Sequence, residues 1–298
     1  MKIKKAEVLV SAWLASRVKN PLLVILGPTA SGKTRFAIAL ARKFGGEIVN
    51  ADSRQIYREL EIGSAPPTAA EQREIPHHLV AKFSPQKTMS VAEYRRLAER
   101  KIREISKRGK LPILSGGHTL LISAIVENFQ FPKKSDDARR AELEKIWKKN
   151  PVQLHKLLAK LNPEAAEKIP PANRHHLIRA IERAENLESV KKGRRKFDCL
   201  LLGLNFEREK LYERIDRRVD KMMAAGLLDE VKILAEKYDR HSPALRGHGY
   251  RELLDFLAGE KSFEKAVGEI KRDTRNYAKR QMTWWRNCRF AKEIIWFE

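Results

Sequence analysis

Cysteine is scarce: among 298 residues only Cys199 and Cys288 carry a thiol. They stand far apart and without Cys-x-x-Cys spacing, which argues against structural zinc and a disulfide framework and points to a cytoplasmic location. No apolar run approaches the roughly 20 residues that a membrane-spanning helix needs. No signal-peptide pattern is read at the start either; Met1–Asn20 reads as a short basic amphipathic extension, a helix laid on the core. Acidic residues are outnumbered, 38 Asp and Glu against 61 Lys and Arg, for a net charge of +23. An excess of that size favours a polyanionic partner, because cations that neutralise phosphates release condensed counterions. The length suffices for a well-buried core in one main domain with a smaller one beside it.

What is present is led by the octet Gly27-Pro28-Thr29-Ala30-Ser31-Gly32-Lys33-Thr34, directly after the apolar run Leu22–Leu26. Its glycines let backbone N–H groups converge on phosphate oxygens, Lys33 supplies a mobile charge, Thr34 can hold Mg²⁺, and the next helix points its positive end at the anion. The amphipathic segment Phe36, Ala37, Leu40, Ala41, Phe44 supplies that helix. The loop implies a di- or triphosphate without saying whether it belongs to a nucleotide.

Short apolar strands alternate with helical patterns at Leu22–Gly27, Glu47–Asp52, His78–Phe83, Lys110–Ser115 and Asp198–Asn205, which predicts an α/β fold with a parallel sheet. Ser90 and Glu93 read as a capping box, and Gly109 as the terminator of that helix. The charged, helix-rich stretch 135–196, punctuated by Pro151, Pro163, Pro170 and Pro171, reads as a helical insertion without strands, with Lys191–Lys196 at its hinge. The catalytic core is then 21–134 with 197–298, closing with long helices, broken near Gly226 and Gly247–Gly249, and an edge strand Glu293–Phe297.

Asp52 ends the second strand, one strand along from the phosphate loop, where parallel sheets bind ligands. Spacing alone leaves it two roles, an acting carboxylate or a helix cap or metal holder. The adjacent His77 and His78 suggest a metal, but neighbours on a strand point to opposite faces. Of Trp284 and Trp285, at least one reads as core.

The ordered set GPTASGKT, Asp52–Tyr57, Glu61–Ala65, Ile75–Leu79, Gly116-Gly117, Arg179–Glu182, Leu211–Met222, Gly249–Glu252 and Thr274–Arg286 resembles the tRNA dimethylallyltransferases, also called tRNA isopentenyltransferases, over roughly Leu22–Phe290. The resemblance implies a P-loop-type core that transfers a dimethylallyl group from dimethylallyl diphosphate to the exocyclic amine of the adenosine 3′ of the anticodon. By that likeness the loop and Mg²⁺ cradle the diphosphate, Asp52 is the general base, and Lys33 and Arg218 face the leaving group. His118 stands at the family's Thr site near the transferred group and reads either as an added hydrogen-bonding member of the catalytic set or as a plain loop histidine. The same likeness assigns tRNA contacts to Asp52, Ser53, Arg54, Gln55, Arg139, Arg246, Tyr250, Arg251, Lys279, Arg280, Gln281 and Arg286. Arg272, Arg275 and Lys279 recur at i, i+3, i+7 on the last helix and read as part of an RNA face. The expected partners are tRNA and the prenyl donor, with no membrane and a monomeric chain.

Departures from the family pattern stand at His118, where Thr is usual, Leu121, where Tyr is usual, His176, usually Arg, and His248, usually Ile. They keep open an RNA-binding homologue with a decayed site. A small-molecule or nucleoside kinase would use the same loop for ATP, but no arginine-rich lid follows it. A free-nucleotide isopentenyltransferase would not need so basic a chain.

Overall fold

Chain order in the computed structural model begins with α1 (Lys2–Ala15), β1 (Pro21–Leu26), α2 (Lys33–Phe44), β2 (Gly46–Asn50), α3 (Ala69–Glu74), β3 (His77–His78), α4 (Val91–Lys107), β4 (Leu111–Gly116) and α5 (Thr119–Val126). Next come β5 (Phe129–Gln130), α6 (Asp137–Lys149), α7 (Pro151–Leu161), α8 (Pro163–Lys168), α9 (Arg174–Glu185) and β6 (Lys191–Lys192). The chain ends with β7 (Asp198–Leu204), α10 (Arg208–Ala224), α11 (Leu227–Lys237), α12 (Tyr250–Leu257), α13 (Phe263–Asn287) and β8 (Ile294–Phe297). The structure describes residues 2–131, 137–185 and 191–298. It divides into one unit of residues 1–126 with 195–298 and a second of 127–194.

In the first unit six strands form one sheet in the order β3-β2-β4-β1-β7-β8. Every pairing in it is parallel. β1, PLLVIL, lies between β4 and β7, with Leu23 opposite Ile113 and Leu200, and is buried on both faces, which is why it reads as a continuous apolar run. The expected strand at 78–83 shrinks to His77–His78. Leu79 (φ 62°) and Ala81 (φ 48°) adopt left-handed backbone that breaks the extended run, and only a bridge from Phe83 to Tyr57 survives beyond it. β8 forms the edge, paired with β7 from Leu201↔Ile294 onward.

Helices cover both faces. On one, Tyr94 and Ile102 of α4, Ile125 of α5 and Trp285 of α13 pack on Val24 and Leu114. On the other, Phe36 and Leu40 of α2 pack on Ile25, Leu202 and Phe297, with Ala6 and Val10 of α1 in the same cluster. The helical period settles the tryptophan pair: Trp285 is fully buried, whereas Trp284 is 42% exposed. Only half of the expected capping box forms at α4. Ser90 Oγ accepts the Glu93 N–H at 3.1 Å, but the Glu93 carboxylate turns to Lys87 Nζ at 2.6 Å. Gly109 (φ 69°) follows the helix in the left-handed region.

The second unit packs α6–α9 around Leu143, Leu154, Leu158, Leu177 and Ile181. Pro151 and Pro163 open α7 and α8 behind the N-caps Asn150 and Asn162, at positions where a missing N–H costs nothing. The expectation of a strandless insertion is corrected by β6, which pairs antiparallel with β5 and draws Phe129 opposite Lys192. The junction read at 134–135 lies outside the described residues. Arg139 is held within this unit by Glu185 and by Glu142 at 2.7 Å.

Candidate active site

Three strand ends converge: the phosphate loop after β1, Asp52 after β2 and Gly117 after β4. The loop keeps its shape because Gly27 (φ 146°) lies so close to β7 that an added Cβ would meet the Leu204 carbonyl at 2.6 Å. Gly32 (φ 84°) starts α2, so the positive end of that helix faces the loop's cavity. Within it Lys33 Nζ donates to the Pro28 carbonyl at 2.6 Å, and ties from outside complete it: Thr29 N–H donates to Gln281 Oε1 at 2.9 Å and Arg214 Nε to the Ala30 carbonyl at 2.9 Å. Ser31 Oγ is buried within the loop and lacks a hydrogen-bond partner among the described residues. An orphaned donor in a cradle of backbone amides fits a phosphate oxygen.

Of the roles that the sequence left open for Asp52, the structure shows the cap. Its Oδ1 accepts the N–H groups of Arg54 at 2.8 Å and Gln55 at 3.4 Å, which fixes the turn after β2. Its other oxygen carries no hydrogen bond to the described residues, and the side chain lines a cleft of about 120 Å³ together with Thr34, Lys33, His77, Arg218 and Gln281. The backbone below is rigid: Asn50 Nδ2 donates to the Leu79 carbonyl at 3.1 Å and Tyr94 Oη to the Asn50 carbonyl at 2.8 Å.

Charges in the cleft are mutually coupled. Burial pulls the Lys33 ammonium down to about 8, with Asp52 opposing and Arg218 adding to the fall. Burial also lowers Arg218, against the pull of Asp52. Tyr94 and Tyr277 are pushed up by burial first and by the Asp52 charge second, so both phenols stay protonated. His118 donates its backbone N–H to the Ala51 carbonyl at 3.2 Å and accepts the Leu121 N–H on Nδ1 at 3.4 Å. With Nδ1 accepting, the neutral ring carries its hydrogen on Nε2. Burial lowers its pKa, with Asp52 opposing. His77 Nδ1 faces the Ile75 carbonyl at 2.7 Å, which leaves a buried Nε2 without a partner among the described residues.

Other sequence-assigned residues are placed less simply. Tyr250 is corrected: it is buried, donates from Oη to Glu230 at 2.7 Å, and fills the space where Gly63 has no Cβ, so it offers RNA no surface. Gln281 is likewise buried, with its amide shared between Thr29 and the Gly117 carbonyl. Arg54 is tied to the Pro243 carbonyl at 2.6 Å and Gln55 to that of Ala65 at 3.0 Å, while Ser53 is half-buried. Arg246 donates to the His241 carbonyl, and Arg251 pairs with Glu252 and Asp273. Within the basic i, i+3, i+7 set, Arg272 pairs with Asp273 and Arg275 with Asp216 of α10. Lys279, Arg280 and Arg286 are exposed on α13. Leu121 is core and His176 exposed on α9. Sequence reasoning passed over Arg214 and Tyr277. Each sits one helical turn before an assigned residue, Arg218 or Gln281, and that i−4 spacing is the signal that finds them.

Comparison with known proteins gives the family. The family described as IPP transferase matches residues 55–288. The chain is 44% identical over 286 residues to a tRNA dimethylallyltransferase of Acetivibrio thermocellus, covering 92% of this chain and 90% of that one. With the protein of the same description from Pelotomaculum thermopropionicum it shares 42% over 289 residues, 94% and 91% of the two chains. A tRNA isopentenylpyrophosphate transferase structure from Bacillus halodurans superimposes with a TM-score of 0.71 at 38% identity, covering 94% and 90%. A eukaryotic dimethylallyltransferase described as acting on tRNA gives 0.76 at 27% identity, covering 93% of this chain and 74% of that one. By sequence, by fold and by the order of its motifs, this chain belongs to the IPP transferase family.

Proposed function

We propose that this chain transfers a dimethylallyl group from dimethylallyl diphosphate to the exocyclic amine of the adenosine 3′ of the anticodon in tRNA, as a cytoplasmic and monomeric enzyme using Mg²⁺. The observation that carries the reading is the free oxygen of Asp52 in the same cleft as Lys33, Arg218 and the phosphate loop. Every group the reaction calls for comes from one chain, so a monomer suffices.

The amine nitrogen forms a bond to C1 of the allyl chain as the bond from C1 to the diphosphate oxygen breaks. The electron pair leaves with diphosphate, and the amine proton goes to Asp52. Lys33, Arg218 and the loop amides face the charge growing on the leaving group. The Thr34 hydroxyl lines the cleft and, with the diphosphate oxygens, would hold Mg²⁺, which supplies further positive charge to the leaving group. An aromatic amine is a poor nucleophile until a carboxylate takes its proton. The target base must also leave the anticodon stack, at a cost of about a few kcal/mol. His118, its ring hydrogen on Nε2, stands beside Asp52 as a neutral donor to the incoming base.

The test is the requirement for donor. Transfer to tRNA should need dimethylallyl diphosphate and no nucleotide. Passage of labelled phosphate from ATP to a nucleoside, with no prenylation of tRNA, would favour a kinase instead.

A further inference from the structure

The N-terminal helix α1 takes no part in the chemistry described, yet its first residues reach the phosphate loop. Lys2 and Ile3 line a groove of about 630 Å³ together with Ser31, Gly32, Phe206 and Arg214. Lys2 Nζ lies 4.4 Å from the centroid of the Phe206 ring, and the Arg214 guanidinium carbon lies 4.7 Å from the same centroid. Both cations are within the range where the ring's quadrupole attracts them. Arg214 then donates from Nε to the Ala30 carbonyl at 2.9 Å.

That last contact falls where the loop needs it. Ala30 sits at φ 61°, a left-handed conformation that an L-residue holds only when its surroundings enforce it. In a planar trans peptide the C=O and the following N–H point opposite ways. Fixing the Ala30 oxygen toward Arg214 therefore fixes the aim of the Ser31 N–H away from Arg214. The helix itself is anchored by Ala6 and Val10, which are fully buried against the α2 side of the sheet.

We propose that Lys2, Phe206 and Arg214 form a positioning relay through which α1 presets the phosphate loop for its anionic ligand. The inference rests on the reading that this loop binds diphosphate, and it assigns these residues no contact with substrate.

The test measures binding of magnesium pyrophosphate by calorimetry, steady-state constants, and hydrogen exchange at the Ser31 amide of the free protein. Phe206→Leu and Lys2→Met should raise the pyrophosphate Kd and the KM for dimethylallyl diphosphate by about 3- to 10-fold, the range that cation–π losses translate into. Under these substitutions kcat, the KM for tRNA and the melting temperature should hold, while Ser31 exchange quickens by a similar factor. Arg214→Met should do more, and Arg214→Lys and Phe206→Tyr should retain most of the wild-type values. Unchanged donor binding and unchanged Ser31 exchange in Phe206→Leu and Arg214→Met would overturn the relay while leaving the prenyl-transfer reading intact. A wild-type protein that binds no magnesium pyrophosphate would overturn both.

Discussion

Gln281 and Thr29, 252 positions apart, are joined by a 2.9 Å hydrogen bond from the Thr29 N–H to Gln281 Oε1. The other end of the same amide donates from Nε2 to the Gly117 carbonyl at 2.7 Å, so one buried side chain ties the phosphate loop to the turn after β4. Gly117 must be glycine for this, since a Cβ there would stand 2.5 Å from Gln281 Nε2. Gln281→Leu fits the space but leaves both backbone groups unpaired, each at a cost of about 1–3 kcal/mol. The expected result in steady-state kinetics is a loss of about 10- to 100-fold in kcat/KM for the donor.

Asp52→Asn separates the turn-fixing role of that residue from its proposed role as base. Asparagine keeps the Oδ1 acceptor for the Arg54 and Gln55 N–H groups and loses the proton-accepting charge. The chemical step in single-turnover experiments should fall by about 10²- to 10⁴-fold, while the affinity for magnesium pyrophosphate stays nearly constant. Loss of that affinity, restored by excess Mg²⁺, would make Asp52 a metal ligand.

Lys33 sets a pH dependence with a definite sign. Its pKa of about 8 means that the free protein presents a charged ammonium below that pH and a neutral amine above it. Pyrophosphate affinity measured by calorimetry should be flat below about pH 7.5 and weaken toward tenfold per pH unit above about 8, with proton uptake on binding. Lys33→Met should bind weakly at every pH and show no such slope. The same lowering from the usual 10.5 makes folding unfavourable to the protonated form, so this group opposes stability below pH 8 and less so as pH rises toward 10.5.

The exposed cations of α13 should act through salt. If tRNA contacts about five phosphates, its affinity should fall several hundredfold for a fourfold rise in salt. Replacing Lys279, Arg280 and Arg286 together by Gln should lower the slope of log K against log salt by about 2 to 3. An unchanged slope in filter-binding titrations would remove this face from the RNA interface.

Features carried by local pattern were legible in the sequence. The phosphate loop, the strand before it and the helix after it follow from contiguous residues, as does the helix-rich character of the stretch that holds α6–α9. What escaped depended on partners distant in sequence or on backbone that apolar pattern does not encode. Left-handed Leu79 and Ala81 ended β3 early, and Lys87 drew Glu93 out of its capping box. Tyr250 and Gln281 sit in motifs that suggest RNA contact, and only the packing of Gly63 and Gly117 against them shows that both are internal. The ion pairs of Arg272 and Arg275 with Asp273 and Asp216 are equally invisible to helical spacing alone.

The central claim is tested most directly by mass spectrometry of nucleosides from unmodified tRNA incubated with this protein, Mg²⁺ and dimethylallyl diphosphate. The account predicts N6-dimethylallyladenosine at the position 3′ of the anticodon, absent when the donor is omitted and strongly reduced with Asp52→Asn. Recovery of unmodified adenosine at that position from a protein shown to bind both tRNA and magnesium pyrophosphate would contradict it.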